Sequence, residues 1–369
     1  MIMVPKPIDQ ISTNQTVMLI VNFIFGAGIL LLPRSVTAKV KTPDGWISVI
    51  ISGLLITLLV FLLVMLCKQY PNETYFQFTQ KIIGKWLGIP LSIIIIIYYI
   101  SLSALEVRVM AETTRLFLLQ GTPTWAILIP FLWIGLYLVL GGINPIARIL
   151  EIIFPITVLF FLLVIFLGLG IIEIDNLRPV LGNGIKPVIN GLKTTSLSFS
   201  GFEIILFIFM FMKDKKKVSK TIILGIGIPF IFYAITVVAV VGAFSVDGVL
   251  LQTWPVLTYI RSYDIQGLFV ERFDSLLLVI WIMQIFATYI IAYYICTLGM
   301  AQILNKKSLK PFLFGTLPFI YVISMIPKDI NQTFIMADSI GNVAFYLFGI
   351  VPLLLLVISF VRKKLNEKV

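Results

Sequence analysis

Histidine is absent from this 369-residue chain, and cysteine occurs only at Cys67 and Cys296. Both cysteines lie within or beside apolar runs, so neither a disulfide framework nor a His/Cys metal centre is expected. Charge is also scarce: 12% of residues are charged, against about a quarter in an ordinary soluble domain. No nucleophile paired with a base and no phosphate-cradling loop can be found, so neither an enzyme nor a bound cofactor is expected. The polar N-terminal stretch has no small-residue cleavage site behind a basic region, and neither end carries a lipidation motif. The first apolar span is therefore expected to stay in the mature protein. The net charge of +11 is not gathered on a basic face with interleaved aromatics, so nucleic acid is not an expected partner.

What fills the chain is apolar: 59% of residues are hydrophobic and the mean hydropathy is +1.06. The expectation is an all-α polytopic membrane protein, a single transmembrane domain over residues 1–369. With roughly 20 apolar residues per crossing, about ten spans are expected, at 12–39, 46–67, 86–118, 124–141, 146–172, 187–212, 220–244, 271–303, 310–326 and 340–361. Turn clusters such as Pro43-Asp44-Gly45 and Gly142-Ile143-Asn144-Pro145 separate them. The third and eighth are long for a crossing, which implies tilt or projecting ends.

Lysine and arginine set the orientation. An even number of spans with the N-terminus inside places Lys68, Lys81, Lys85, the 213–220 run, Lys306, Lys307, Lys310 and the basic tail on the cytoplasmic side. The opposite side receives fewer, chiefly Arg34, Lys39, Lys41, Arg178, Lys186, Arg261 and Lys328. Both termini are accordingly expected in the cytoplasm. The 213–217 cluster also has a second reading, contact with anionic lipid or a partner.

Two spans in corresponding halves are interrupted, the first at Gly26-Ala27-Gly28 and the sixth at Ser198-Phe199-Ser200-Gly201. Unpaired peptide groups inside a bilayer cost several kcal/mol each, so irregular backbone persists only where it is buried in protein or lines a cavity. Five spans followed by five, with breaks in helices 1 and 6, suggest inverted repeats over 12–172 and 187–361. The half-helices starting after Gly28 and Gly201 would aim N–H groups and partial positive charge at the centre, suited to a carboxylate. The halves ending there would offer free carbonyls to an ammonium or small cation. A zwitterionic amino acid fits both. Small residues at a helix contact are the competing reading of the two glycines.

Depth arithmetic at about 1.5 Å per residue centres the third span near Leu102 and the eighth near Thr288. Tyr98, Leu102 and Leu105 share one stripe; Tyr98 offers a hydroxyl and Leu102 sets pocket width, or both simply pack a buried helix. Gln284 and Thr288 form an i, i+4 pair opposite, facing the pocket or bonding a neighbouring helix. Charges inside spans stand out, because each costs at least about 2.5 kcal/mol at mid-membrane. Glu203, in the first turn of the second half of helix 6, either caps that turn or serves as a gate or a proton or cation holder, and Glu106 is a second candidate for that role. Arg108, Glu112 and Arg115 are spaced to form a structural ladder, and Glu271-Arg272-Phe273-Asp274 is expected to anchor an outer loop.

The run Gly26-Ala27-Gly28-Ile29-Leu30-Leu31-Leu32-Pro33-Arg34, with Pro43-Asp44-Gly45-Trp46, Gly84-Lys85-Trp86, Asn176-Leu177-Arg178-Pro179-Val180-Leu181, Ser198-Phe199-Ser200-Gly201-Phe202-Glu203 and Glu271-Arg272-Phe273, closely resembles the endospore germination permeases. These are the B subunits of nutrient germinant receptors, within the wider amino acid-polyamine-organocation superfamily. The likeness covers essentially the whole chain. It implies a LeuT-like fold in the spore inner membrane, assembly with a larger A-type membrane subunit and a C-type lipoprotein, and a germinant such as an amino acid, nucleoside or sugar. By the same resemblance Gly26, Ala27, Gly28, Ser198, Ser200 and Gly201 form the breaks of the substrate pocket, with Tyr98, Leu102 and Thr288 lining it. The fifth span has no lysine to replace a sodium ion, and no hydroxyl pair on the eighth span makes a clear sodium site. The expected function is a germinant-sensing subunit. An ion-coupled secondary amino acid transporter is the alternative, and an ion or water conduit a third reading.

Overall fold

The computed structural model describes residues 9–26, 28–262 and 273–366. Ser12 starts the first helix, α1 (Thr13–Phe25), through a capping box: its hydroxyl accepts from the Gln15 N–H while the Gln15 side chain accepts from the Ser12 N–H at 2.9 Å. Gly26 ends α1 with φ +22° and ψ −136°, a backbone that disfavours any side chain. The chain resumes as α2 (Gly28–Val40), bent 50° from α1. Next come α3 (Gly45–Gln69), the nine-residue α4 (Tyr75–Ile83), the 33-residue α5 (Lys85–Phe117), α6 (Thr124–Val139) and α7 (Ile143–Leu167).

The second interruption lies between α8 (Lys186–Ser198) and a short mixed segment: a 3-10 turn Phe202–Ile204, one α turn α9 (Ile205–Ile208) and a 3-10 turn Phe209–Phe211. Then follow α10 (Val218–Leu251), α11 (Pro255–Arg261), α12 (Phe273–Ile303), α13 (Lys310–Met325) and α14 (Ile330–Ala344). A π-helical stretch Phe345–Ile350 joins α14 to α15 (Val351–Asn366).

The described residues hold six helices long and apolar enough to cross a membrane, or seven with α1 and α2 counted as one bent span. The expected segments 124–141, 187–212 and 310–326 correspond to shorter apolar helices, Thr124–Val139, Phe202–Phe211 and Lys310–Met325. Large side chains such as Leu58, Ile97, Trp133, Leu162, Phe319 and Leu354 face outward. An apolar surface of that extent needs lipid rather than water, so the chain is an integral membrane protein.

Two expected boundaries move. The tenth segment begins at Ile330, not residue 340, because α14 runs through its polar residues before the apolar stretch. The seventh extends to Leu251, but Ser245 is non-helical at φ 60° and ψ 175°, so the expected end at 244 falls at a kink. The start of the eighth at 271, with Glu271 and Arg272 of the expected loop anchor, lies outside the described residues. The helix α4 was not expected; the Thr74 and Gln77 capping box starts it, and its apolar face carries buried Tyr75, Phe76, Phe78 and Ile82.

Polar contacts fix how the broken elements sit. Ser48 donates to the Val188 carbonyl at 2.8 Å, and Ser52 bonds Thr195, tying α3 to α8. The Ile11 N–H donates to Phe211 O at 2.9 Å and the Lys213 N–H to Ile11 O at 3.0 Å. That bridge places the entrance to α1 beside the exit of the second broken unit. In the adjacent 213–217 loop, the bond from Lys217 holds the Asp214 carboxyl below the usual carboxylate range. The expected ladder is present: Glu112 sits 2.5 Å from Arg108 and 3.3 Å from Arg115.

Candidate functional site

A cavity of about 160 Å³ lies where the two interruptions meet α5, α12 and α14. Seven of the residues singled out from sequence for the pocket line it: Gly26, Gly28, Tyr98, Leu102, Ser198, Ser200 and Thr288. Glu106 lines it as well, one turn beyond Leu102 on the same face of α5. Ala27 lies outside the described residues. Gly201 and Glu203 are not on the wall. Gly201 instead packs on α1, where an added Cβ would come within 2.6 Å of the Phe23 ring at a φ of +121°.

The glycines are required by close approach. A Cβ on Gly26 would lie 2.6 Å from Thr288 Oγ1 and 3.1 and 3.3 Å from the two Glu106 carboxylate oxygens. On Gly28 it would lie 3.0 Å from the Tyr233 hydroxyl and 3.3 Å from the Ser198 carbonyl oxygen. Backbone thus meets side-chain oxygens directly at the first break, which leaves main-chain polar groups at the cavity wall.

Those groups are less free than expected. Thr288 donates to the Phe23 carbonyl at 3.0 Å, and Tyr233 donates to the carbonyls of Ile24 at 2.6 Å and Ser198 at 3.2 Å. The last carbonyls of α1 and α8 therefore already accept from side chains. Each carbonyl keeps a second lone pair, so their capacity to receive a ligand N–H is halved rather than removed. At the second break the Gly201 N–H donates to Glu203 Oε2 at 2.6 Å, and the Tyr98 hydroxyl reaches Glu203 Oε1 at a long 3.4 Å. Glu203 is fully buried and turned back on its own turn, which is the capping arrangement of the two weighed from sequence. It takes one of the N–H groups that were expected to face a ligand carboxylate.

A buried polar network braces the end of α1. The Gln284 amide donates to Asn22 Oδ1 at 2.9 Å and to the Thr157 hydroxyl at 2.5 Å, while the Asn22 amide donates to Met18 O at 2.7 Å. Gln284 and Thr288 thus bond neighbouring helices, and Thr288 also faces the cavity. Behind Tyr98, edge-on contacts with Tyr99 and Phe348 at ring distances of 5.0 and 5.1 Å fix the ring.

Among the residues not singled out from sequence, two bear directly on the polar groups of the site. Tyr233 on α10 holds both interrupted helices with one hydroxyl; nothing in its apolar surroundings signals a bond 209 residues away. Asp338 on α14 lines the cavity together with Ala337, Ile340 and Gly341. It escaped notice because the tenth span was started just after it, although an acidic residue followed three positions later by glycine is unusual beside an apolar run.

A family model described as spore germination protein matches residues 10–333. Spore germination protein YndE of Bacillus subtilis (strain 168) is 50% identical over 97% of this chain and 99% of its own length. Spore germination protein A2 of the same organism is 33% identical over 97% of this chain and 98% of its own length. Among solved structures, Mhp1, a nucleobase-cation-symport-1 family transporter in a closed conformation with bromovinylhydantoin bound, superposes with a TM-score of 0.67. That match covers 94% of this chain and 81% of the transporter at 12% sequence identity, a likeness of fold alone.

Proposed function

The chain belongs to the spore germination protein family, and from that premise we propose that it is the nutrient-sensing B subunit of a spore germinant receptor. It binds a small solute at the bilayer midplane, between the interruptions of helices 1 and 6. One observation carries this reading: both interruptions, read from sequence as a binding feature, open onto a single cavity whose largely apolar wall carries hydroxyls and two carboxylates. In this proposal the chain is one transmembrane domain of ten spans, arranged as inverted repeats over 12–172 and 187–361. It resides in the spore inner membrane with both termini in the cytoplasm, beside an A-type membrane subunit and a C-type lipoprotein. No step of this function requires catalysis or a cofactor.

Size favours an amino acid among the germinant classes. A closed cavity near 150 Å³ accepts benzene, about six non-hydrogen atoms; this one is about 160 Å³ and partly open, so a solute a few atoms larger can extend toward its mouth. A small amino acid fits that volume, whereas a nucleoside needs the walls to part. Binding signals only through differential affinity: a solute held equally by two conformations shifts nothing. The contacts at Gly26, Gly28 and Ser198 exist in one arrangement of the half-helices, so a solute bridging them selects that arrangement and biases the partner subunits.

The test places this subunit with its partners in spores lacking other germinant receptors and screens amino acids, nucleosides and sugars by loss of optical density. A response to a small amino acid that disappears in Gly28→Leu, with the protein still in the membrane, supports the reading. The rival, ion-coupled amino acid transport, predicts gradient-driven accumulation by the isolated chain in vesicles, and that result would replace the sensing role.

A further inference from the structure

The charge of the cavity wall narrows the solute further. On the reading of this cavity as the solute site, we infer that it selects solutes by net charge, favouring an additional ammonium and rejecting an additional carboxylate, with Asp338 as the residue that sets the preference.

The wall carries two carboxylates on different helices, Glu106 of α5 and Asp338 of α14, and no lysine or arginine lines it among the described residues. Its other polar side chains are the neutral hydroxyls of Tyr98, Ser198, Ser200 and Thr288, with Ser35 and Thr194 beside them. At the second break the Gly201 N–H is taken by Glu203, whereas the opening N–H groups of α2 at the first break remain for the α-carboxylate that every amino acid shares.

The two acids differ in exposure: Glu106 is buried, whereas Asp338 is not. Glu106 lies against the first break, its oxygens beside Gly26. Asp338 is exposed and lines the cavity alongside the small residues Ala337 and Gly341. Among the described residues no hydrogen bond or ion pair engages that carboxylate; the Asn342 amide bonds the Asp338 backbone carbonyl at 2.8 Å instead. Arg34 of α2 has its guanidinium carbon 5.9 Å from the centre of the Phe334 ring, one helical turn from Asp338, and among the described residues no ion pair joins Arg34 to Asp338. Asp338 is exposed, so it acts on an entering solute as an unpaired negative charge at the cavity wall: a solute with an added ammonium is attracted and one with an added carboxylate is repelled. Glu106 accepts the α-ammonium that every amino acid shares, whereas Asp338 faces the remainder of the molecule and distinguishes one from another.

The test uses three solutes of nearly equal size: 2,4-diaminobutyrate, asparagine and aspartate. Their affinities are measured by calorimetry on the full chain in lipid nanodiscs. The inference expects diaminobutyrate to bind at least tenfold more tightly than asparagine and aspartate at least tenfold more weakly. In Asp338→Asn the spread between diaminobutyrate and aspartate should shrink by tenfold or more, and Asp338→Glu should restore it. The Gly26→Leu variant separates this inference from the site reading, since it should abolish binding of all three. Loss of binding in Gly26→Leu with no charge preference in the parent protein would overturn the inference and leave the cavity standing. Unchanged binding in Gly26→Leu, or no binding of any of the three by the parent, would overturn both.

Discussion

Replacing Gly26 by alanine adds one methyl at the narrowest point of the site, and the structure fixes what it meets. The new Cβ would lie 2.6 Å from Thr288 Oγ1 and close to both oxygens of Glu106, at a backbone φ of +22°. Holding a non-glycine residue in such a conformation costs about 1–3 kcal/mol, and forcing a methyl into filled space typically adds about 1–3 kcal/mol. A combined penalty of at least about 2 kcal/mol on the solute-binding arrangement corresponds to roughly a thirtyfold rise in the half-maximal germinant concentration. The assay is the dose response of spores carrying this subunit as their sole germinant receptor, with membrane abundance checked by immunoblot. Thr288→Ala removes the nearest clash, so the double variant should recover part of the response relative to Gly26→Ala. Gly227, on α10 with nothing within 4 Å of an added Cβ, supplies the control: Gly227→Ala should leave the response unchanged. A Gly26→Ala dose response within threefold of the parent would refute the close-packed break as the site of recognition.

Other variants probe separate parts of the account. Tyr233→Phe removes the donor shared by Ile24 and Ser198; interhelical bonds in membranes average about 0.6 and reach about 1.7 kcal/mol, so the unfolding free energy in detergent should fall by that margin and the denaturant midpoint should drop. Glu112→Gln strands Arg108, whose side chain is 4% exposed, and should cost about 3–5 kcal/mol, read as a sharp drop in melting temperature that Arg108→Met with Glu112→Leu reverses. Leu102→Ala enlarges the cavity wall and should shift preference toward solutes longer by one or two methylenes, each worth about 0.8 kcal/mol, measured by competition binding.

The interruptions were legible because glycine and serine clusters inside apolar runs have few other uses in a membrane. Seven of the pocket residues named from sequence share one cavity because helical spacing alone places Tyr98, Leu102 and Glu106 on one face of α5, and the breaks fix the rest. What escaped was everything set by side-chain direction across the bundle. No periodicity says that the Tyr233 hydroxyl reaches the ends of both interrupted helices, or that Glu203 folds back on Gly201. Free carbonyls and N–H groups were expected from helix ends alone. The structure satisfies part of them with Thr288, Tyr233 and Glu203, since a break deep in the protein must be partly capped before any solute arrives. Asp338 was missed for a different reason: hydropathy placed the start of the tenth span after it, whereas α14 begins at Ile330. The short α4 was missed because nine residues carry too few turns for a clear period.

The central claim is that a solute occupies the space between the two interrupted helices. Electron cryomicroscopy of the assembled receptor, with and without a saturating germinant found in the spore screen, tests it directly. The account predicts new density between Gly26, Ser198, Tyr98 and Thr288 in the germinant-bound map alone. An unchanged, empty cavity together with germinant density elsewhere in the assembly would contradict it.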